Sequence, residues 1–193
     1  MAVNDALHRT LNDLADFLDG QGVRFAVIGG IAAGARGEPR FTADVVSVVG
    51  ADLDRALALV NVLEGSPFRP LFPDVAEVVR TAFILPVRHR ETQIKVDLAI
   101  GLTGFERQLL DRATQITLTD RVLPVATAED LILLKVLAGR PRDMEDIAGI
   151  VARQANALDW NYLFETAQAL QVSLTQDIVS PLRKLQTAEP PPD

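Results

Sequence analysis

Cysteine is absent from the 193-residue chain, and histidine occurs only twice. Without cysteine there is no disulfide framework, no thiol nucleophile and no thiolate zinc site. The two histidines, His8 and His89, form no H-E-x-x-H helix of the metalloprotease kind. The apolar runs fall far short of the ~18–20 residues needed to cross a bilayer, so no membrane span is expected. Basic charge is also scarce: 19 Lys and Arg against 26 Asp and Glu leave a net charge of −7. That balance argues against a protein that coats nucleic acid nonspecifically, which needs a broad basic surface. The stretch from Met1 to His8 lacks a basic start followed by an apolar run, so no signal peptide is read and a cytoplasmic location is expected. What remains is globular in composition, 48% hydrophobic and 23% charged. Any metal held by such a chain should be a hard cation on carboxylates.

Hydrophobic spacing organises the chain into two parts. Leu7, Leu11, Leu14 and Leu18 predict an amphipathic helix over 4–20. A short strand over 23–28 runs into Gly29-Gly30, and a short helix begins at those glycines. The β-branched run 44–49 predicts a buried strand, and 51–63 a second amphipathic helix. Residues 65–73, with three prolines, read as a loop. Strands over 81–87 and 93–100 read as an antiparallel hairpin, with Pro86 implying that the first frays or lies at an edge. A helix over 105–113 and one or two short strands within 115–124 complete this part. Beyond residue 125 the spacing is helical: 128–138, 143–154, 159–170 and about 174–185. The expectation is a mixed α/β (α+β) core over 1–125, a small mixed sheet flanked by helices, followed by a helical module over 126–193.

Several residues stand out against this background. Gly29-Gly30 after a strand is either a tight turn or a place where backbone N–H groups approach an anion. Neither G-x-G-x-x-G nor G-x-x-x-x-G-K-[ST] is present, so neither a dinucleotide site nor a P-loop is supported. Asp44 and Asp97 are single carboxylates in apolar strands. Each is either a strand-end ion pair or cap, or a metal ligand. Lys95 faces the same way as Asp97. Lys135 lies inside an otherwise apolar helical run, where it either snorkels to solvent or meets an anion at a domain interface. Asp143 and Asp146 share one helix face, where acids in a first turn commonly offset the helix dipole. Arg88-His89-Arg90 reads as a solvated basic turn, although residues 80–95 form a local basic patch that suits phosphate. Trp160 reads as helical core.

Taken in order, Val27-Ile28-Gly29-Gly30, Arg40-Phe41-Thr42-Ala43-Asp44, Val96-Asp97, Glu129-Asp130-Leu131 through Lys135, and Arg142-Asp143 through Asp146 resemble the nucleotidyltransferase superfamily. The likeness is greatest to the bacterial abortive-infection and toxin–antitoxin type. The resemblance implies a nucleotidyltransferase-like fold with a C-terminal helical module. It implies an NTP site at Gly29, Gly30, Arg40, Thr42, Lys95, Asp143 and Asp146. It implies catalytic roles for Asp44, Asp97 and Lys135, with Mg²⁺ on Asp44 and Asp97. Transfer of NMP to a hydroxyl of an RNA such as tRNA, or of a protein, follows, with a cognate antitoxin-like protein as a further partner. One departure bears on activity. The family pattern has a second Asp two residues after Asp44, and this chain has Val46 there. Two cations about 3.5–4 Å apart need that carboxylate, so a two-metal site is in doubt and weak or lost transfer is expected. The alternative is a noncatalytic interaction module, antitoxin-like or a scaffold partner, that keeps only the fold.

Overall fold

A computed structural model describes residues 3–39, 42, 44–118, 120–154 and 156–187. The chain is mixed α/β, and its described residues form seven strands and nine helices. By its contacts it divides into two compact units. One comprises Met1–Ile31 and Phe41–Ala126, the other Ala32–Arg40 and Thr127–Asp193. Among the described residues, no helix is long and apolar enough to cross a membrane.

The first unit is built on one sheet. Strands β1 (Phe25–Ile28), β2 (Asp44–Val49), β3 (Phe68–Pro70), β4 (Ile84–His89), β5 (Lys95–Ile100), β6 (Thr114–Thr117) and β7 (Val122–Val125) lie in the order β3-β4-β5-β2-β1-β7-β6. The pairs β2–β5 and β1–β7 are parallel and the others antiparallel. Helix α1 (Val3–Gly20) buries Leu11, Leu14, Ala15 and Leu18, one stripe at helical spacing. Phe17 of α1 meets Phe68 at 5.7 Å between ring centroids, and Phe68 meets His89 edge-on at 5.3 Å. One sheet face is thereby closed, with Leu85, Val87, Val96, Leu98, Val45 and Val49 buried upon it. Each such side chain contributes roughly 1.5–3 kcal/mol of transfer free energy. Helices α3 (Leu53–Val62), α4 (Val75–Ala82) and α5 (Gly104–Arg112) complete the unit. Asp52 caps α3, accepting from the Arg55 N–H at 2.7 Å, and Thr103 with Glu106 forms a capping box on α5.

The segment 81–87, predicted as one strand, is divided between a helix and a strand. Val75 and Val79 are buried at helical spacing, so α4 runs through Ala82 and β4 starts only at Ile84. Phe83 stops the helix at φ 54, in the left-handed region. Pro86 does not mark an edge strand. The three-residue β3, inside the predicted loop, pairs with 87–89 of β4 and ends before Pro86. Pro86 therefore lacks a β3 partner for the N–H it does not have, while its carbonyl accepts from Leu71 at 3.1 Å.

Helix α2 (Gly29–Arg36) begins in the first unit and ends in the second. The second unit otherwise contains α6 (Ala128–Ala138), α7 (Pro141–Gln154), α8 (Trp160–Leu174) and α9 (Val179–Thr187). Helix α6 packs on α7 and α8. Its cap is Thr127, whose hydroxyl accepts from the Asp130 N–H at 3.2 Å. Gly139 ends α6 in the left-handed region and Pro141 opens α7, the asymmetry expected of a short helix–helix joint. Gly37 passes so close to α7 that a Cβ there would lie 2.7 Å from the Ile150 nitrogen.

Candidate functional site

Strand register brings the candidate residues of the first unit together. Asp44 pairs with Lys95 and Val46 with Asp97 across the parallel β2–β5 ladder. Side chains at paired positions share a face, and positions two apart along a strand share it too. Asp44, Val46, Lys95 and Asp97 therefore lie on one face, opposite the face closed by α1. All four are half-buried, whereas Val45, Ser47, Val96 and Leu98 between them are buried. Asp44 and Asp97 sit diagonally, about 8 Å apart at Cα from strand spacing and rise, a separation their side chains can narrow.

Each carboxylate has a local hydrogen-bond donor. The Thr42 hydroxyl donates to Asp44 Oδ1 at 3.0 Å. Lys95 Nζ donates to Asp97 Oδ2 at 2.7 Å, with the Lys95 side chain 39% and the Asp97 side chain 20% exposed. Gly29 stands over the same face. Its φ is +68, and a Cβ built on it would lie 3.1 Å from Val46 Cβ. Only glycine suits that conformation at so close an approach. Gly29 and Gly30 also form the first turn of α2, whose N–H groups lack intrahelical acceptors. Gly29, Gly30, Thr42, Asp44, Lys95 and Asp97 thus belong to one constellation. Arg40 lies outside the described residues.

The other expected site residues form a separate cluster inside the helical unit. Lys135 does not snorkel: its side chain is 6% exposed. Its ammonium donates to Asp143 Oδ1 at 3.1 Å and to Asp146 Oδ2 at 2.5 Å. The anion Lys135 meets is therefore supplied by α7 of its own unit. Arg140 donates through Nε to Asp143 Oδ2 at 2.6 Å. Burial pushes the Asp143 carboxyl up, but the hydrogen bonds and charges of Arg140 and Lys135 outweigh it and hold its pKa below the ordinary 3.8. Asp130, in the first turn of α6, is buried and accepts from Tyr162 Oη at 2.5 Å and Thr127 Oγ1 at 2.8 Å. Glu129 accepts from the Asp159 N–H at 3.1 Å, which ties the start of α8 to α6.

The basic segment 88–90 also resolves differently from a solvated turn. Arg88 and His89 alternate at the end of β4, and Arg90 follows it in a turn. His89 points to the closed face, 2% exposed, with Nε2 2.8 Å from Asp13 Oδ2. The Thr92 N–H donates to His89 Nδ1 at 3.0 Å, which places the ring proton on Nε2. Arg90 Nε donates to the Ser66 carbonyl at 3.1 Å and so clamps the loop before β3. Arg88 faces the carboxylate side, opposite Lys95.

The donor set decides what metal fits. Among the described residues no group of three or more Asp, Glu, His or Cys side chains could hold a metal ion. Val46 occupies the position facing Asp97 where a further carboxylate would complete a pair of cation sites. A two-cation centre does not fit these residues. A single Mg²⁺ that draws most of its ligands from phosphate and water suits two carboxylates.

No protein-family model matches the chain, and no curated protein matches it. Among solved structures, the chain is similar to an antigenic nucleotidyltransferase-like protein from Paracoccidioides brasiliensis, with TM-score 0.55, 20% identity and 93% of each chain covered. A second similar structure is the antibiotic-resistance factor ANT(2'')-Ia, with TM-score 0.49, 13% identity, and 95% of this chain and 91% of that one covered. The first likeness defines the class of fold: a nucleotidyltransferase-like mixed α/β architecture.

Proposed function

We propose that the chain binds an NTP with one Mg²⁺ on the half-open face of the sheet, and that it transfers NMP to a hydroxyl weakly or not at all. The observation that carries this reading is the register that sets Asp44 and Asp97 on adjacent strands of one face, with Gly29 directly over Val46. In this reading Gly29 and Gly30 let the phosphates approach the backbone at the start of α2. Asp44, oriented by Thr42, and Asp97 hold the cation. When bound, Mg²⁺ supplies charge neutralisation at the phosphate oxygens. Lys95 turns from Asp97 toward phosphate as a point charge. The acceptor is an RNA or protein hydroxyl. The order of the motifs supports the narrower abortive-infection type, with its antitoxin-like partner and cytoplasmic setting.

Lys135, Asp143 and Asp146 take a different part in this proposal. Their charges are spent on one another, so we assign them to holding α6 against α7 rather than to the nucleotide.

The test is calorimetry with each NTP and Mg²⁺, together with label transfer from each labelled NTP. Wild type is expected to bind, Asp97→Asn to bind at least about tenfold more weakly, and Val46→Asp to gain transfer activity. Absence of nucleotide binding in both wild type and Val46→Asp would overturn the reading. Efficient transfer by wild type would keep the class of activity and overturn the role given to Val46.

A further inference from the structure

The sheet has two edges, and they are built differently. At the β3 edge, the Arg90 N–H donates to the Pro67 carbonyl at 2.8 Å and the Leu71 N–H to the Pro86 carbonyl at 3.1 Å. Backbone groups alternate along a strand, so Arg69 turns its own toward β4, while Phe68 and Pro70 turn theirs outward. Pro70 has no N–H to offer there. A strand added to β3 would lack that donor, and a second copy of β3 centred on Arg69 would set two guanidiniums opposite each other. β3 is therefore a blunted edge.

The edge at β6 carries none of these protections. The Ala126 N–H donates to the Val27 carbonyl at 3.1 Å, so β7 turns the backbone of Pro124 and Ala126 toward β1 and that of Leu123 and Val125 toward β6. Leu123 pairs with Ile116 and Val125 with Thr114. The backbone groups of Thr114 and Ile116 are therefore used inward, and those of Gln115 and Thr117 point out of the sheet edge. The strand reads Thr-Gln-Ile-Thr, with no charge, proline or glycine. Ile116 is half-buried and its neighbours in the strand are exposed. Val122, which pairs with Thr117, is 55% exposed. An open and uncharged strand edge is a template for another strand.

We infer that β6 pairs antiparallel with β6 of a second copy of this chain, about a two-fold axis through Ile116. The register follows from the backbone phase. Outward residues must meet outward residues, so Gln115 of each copy lies opposite Thr117 of the other, and the two exchange N–H···O=C bonds on both sides of the axis. Ile116 then faces Ile116 in the non-hydrogen-bonded position, about 4.5 Å apart at Cα, where apolar side chains touch. Centring on Gln115 or Thr117 instead would leave the other outward residue unmatched within the strand. A second copy fits better than a foreign strand because this segment complements itself: the phases match, the centre is apolar, and no like charges within the strand oppose each other. The interface is short and each copy carries −7, so the dimer is weak and reversible, and added salt strengthens it by screening the repulsion. β6 lies three strands from β2 in the sheet, so dimerisation is independent of nucleotide.

The absence of cysteine makes the register testable. Ile116→Cys, Gln115→Cys and Thr117→Cys each carry a single thiol and are exposed to oxidised glutathione. Ile116→Cys is expected to cross-link at least about tenfold faster than the other two, because a disulfide spans ~4.4–6.8 Å at Cα, whereas positions 115 and 117 lie about 8–9 Å from their own copies across the axis. In sedimentation equilibrium the cysteine-free wild type is expected to pass from monomer toward dimer over roughly 10–500 μM, with more dimer at high salt than at low. Ile116→Lys sets like charges on the axis and is expected to stay monomeric with an unchanged circular dichroism spectrum. Thr117→Pro removes only an outward donor, twice per dimer, and is expected to weaken association about tenfold. Arg69→Ala, on the other edge, is expected to dimerise as wild type. A wild type that stays monomeric, equal cross-linking at all three positions, or a dimer indifferent to both Ile116→Lys and Thr117→Pro would overturn the inference.

Discussion

The two units place the same residue types, aspartates beside lysines, in opposite settings. In the helical unit Lys135, Asp143 and Asp146 are 6%, 4% and 4% exposed and satisfy one another across α6 and α7. On the sheet Lys95 and Asp97 are 39% and 20% exposed, and their single contact is made along one strand. Burial makes the first cluster an all-or-none structural element: removing one partner strands a charge where water cannot reach it. Partial exposure makes the second an exchangeable pair, because either group can return to water or meet a ligand at little cost. Charge pairing alone does not mark chemistry. A pair that can be undone cheaply is only free to exchange its partner for a ligand.

The largest expected effect breaks the buried side of that comparison. Lys135→Met leaves Asp143 and Asp146 facing each other without their central cation, and is expected to cost about 3–5 kcal/mol. For a chain of this size that is a drop of roughly 6–20 °C in the unfolding midpoint. Asp97→Asn, by contrast, is expected to change stability by less than about 1 kcal/mol while weakening nucleotide. Differential scanning calorimetry on both variants checks the contrast. Equal midpoints for the two would remove the distinction between clamp and site.

Acid sharpens the same distinction. The folded Asp143 carboxyl titrates below the ordinary 3.8. The unfolded carboxyl therefore takes up its proton first as pH falls. The stability this pairing contributes is full above about pH 4 and is lost as pH drops through the lower folded pKa. The unfolding midpoint of wild type is expected to fall more steeply than that of Asp143→Asn between about pH 5 and about pH 3. Parallel curves would mean that Asp143 carries no linked stability.

Much of this contrast could be read in the sequence, but its pairings could not. The β-branched run from Asp44 gives β2 with its bounds, and Thr127 with Asp130 gives the start of α6. Lys135 stands out because an apolar helix has no cheap place for an ammonium. Its partners were visible as acids on one face, but the turn through Gly139 and Pro141 decides that this face meets Lys135. The sequence pattern hides α4, because Val78, Val79 and Ala82 lead directly into the β-branched and apolar start of β4. The pairing of Arg69 with Arg88 depends on β3, three residues hidden in a proline-rich loop. Without that strand no spacing rule relates the two. Local pattern fixes elements of several turns or residues, whereas register across short strands is set by tertiary pairing.

The smallest expected effect tests the sheet from its closed side. Ser47 lies on β2 between Val46 and Val48, pairs with Val27 and Leu98, and is fully buried. Its hydroxyl has no partner among the described residues. A buried hydroxyl without a partner costs about 1–3 kcal/mol of desolvation. Removing it sacrifices some strand propensity, a fraction of about 1 kcal/mol. Ser47→Ala is therefore expected to raise stability by about 1 kcal/mol, or roughly 2–4 °C in the midpoint, with nucleotide binding unchanged because the side chain faces away from Asp44 and Asp97. The helical unit satisfies its buried charges, while the sheet tolerates one unsatisfied dipole directly behind the half-open face. A loss of stability in Ser47→Ala would show that the hydroxyl is engaged, and that the closed face is as fully satisfied as the Lys135 cluster.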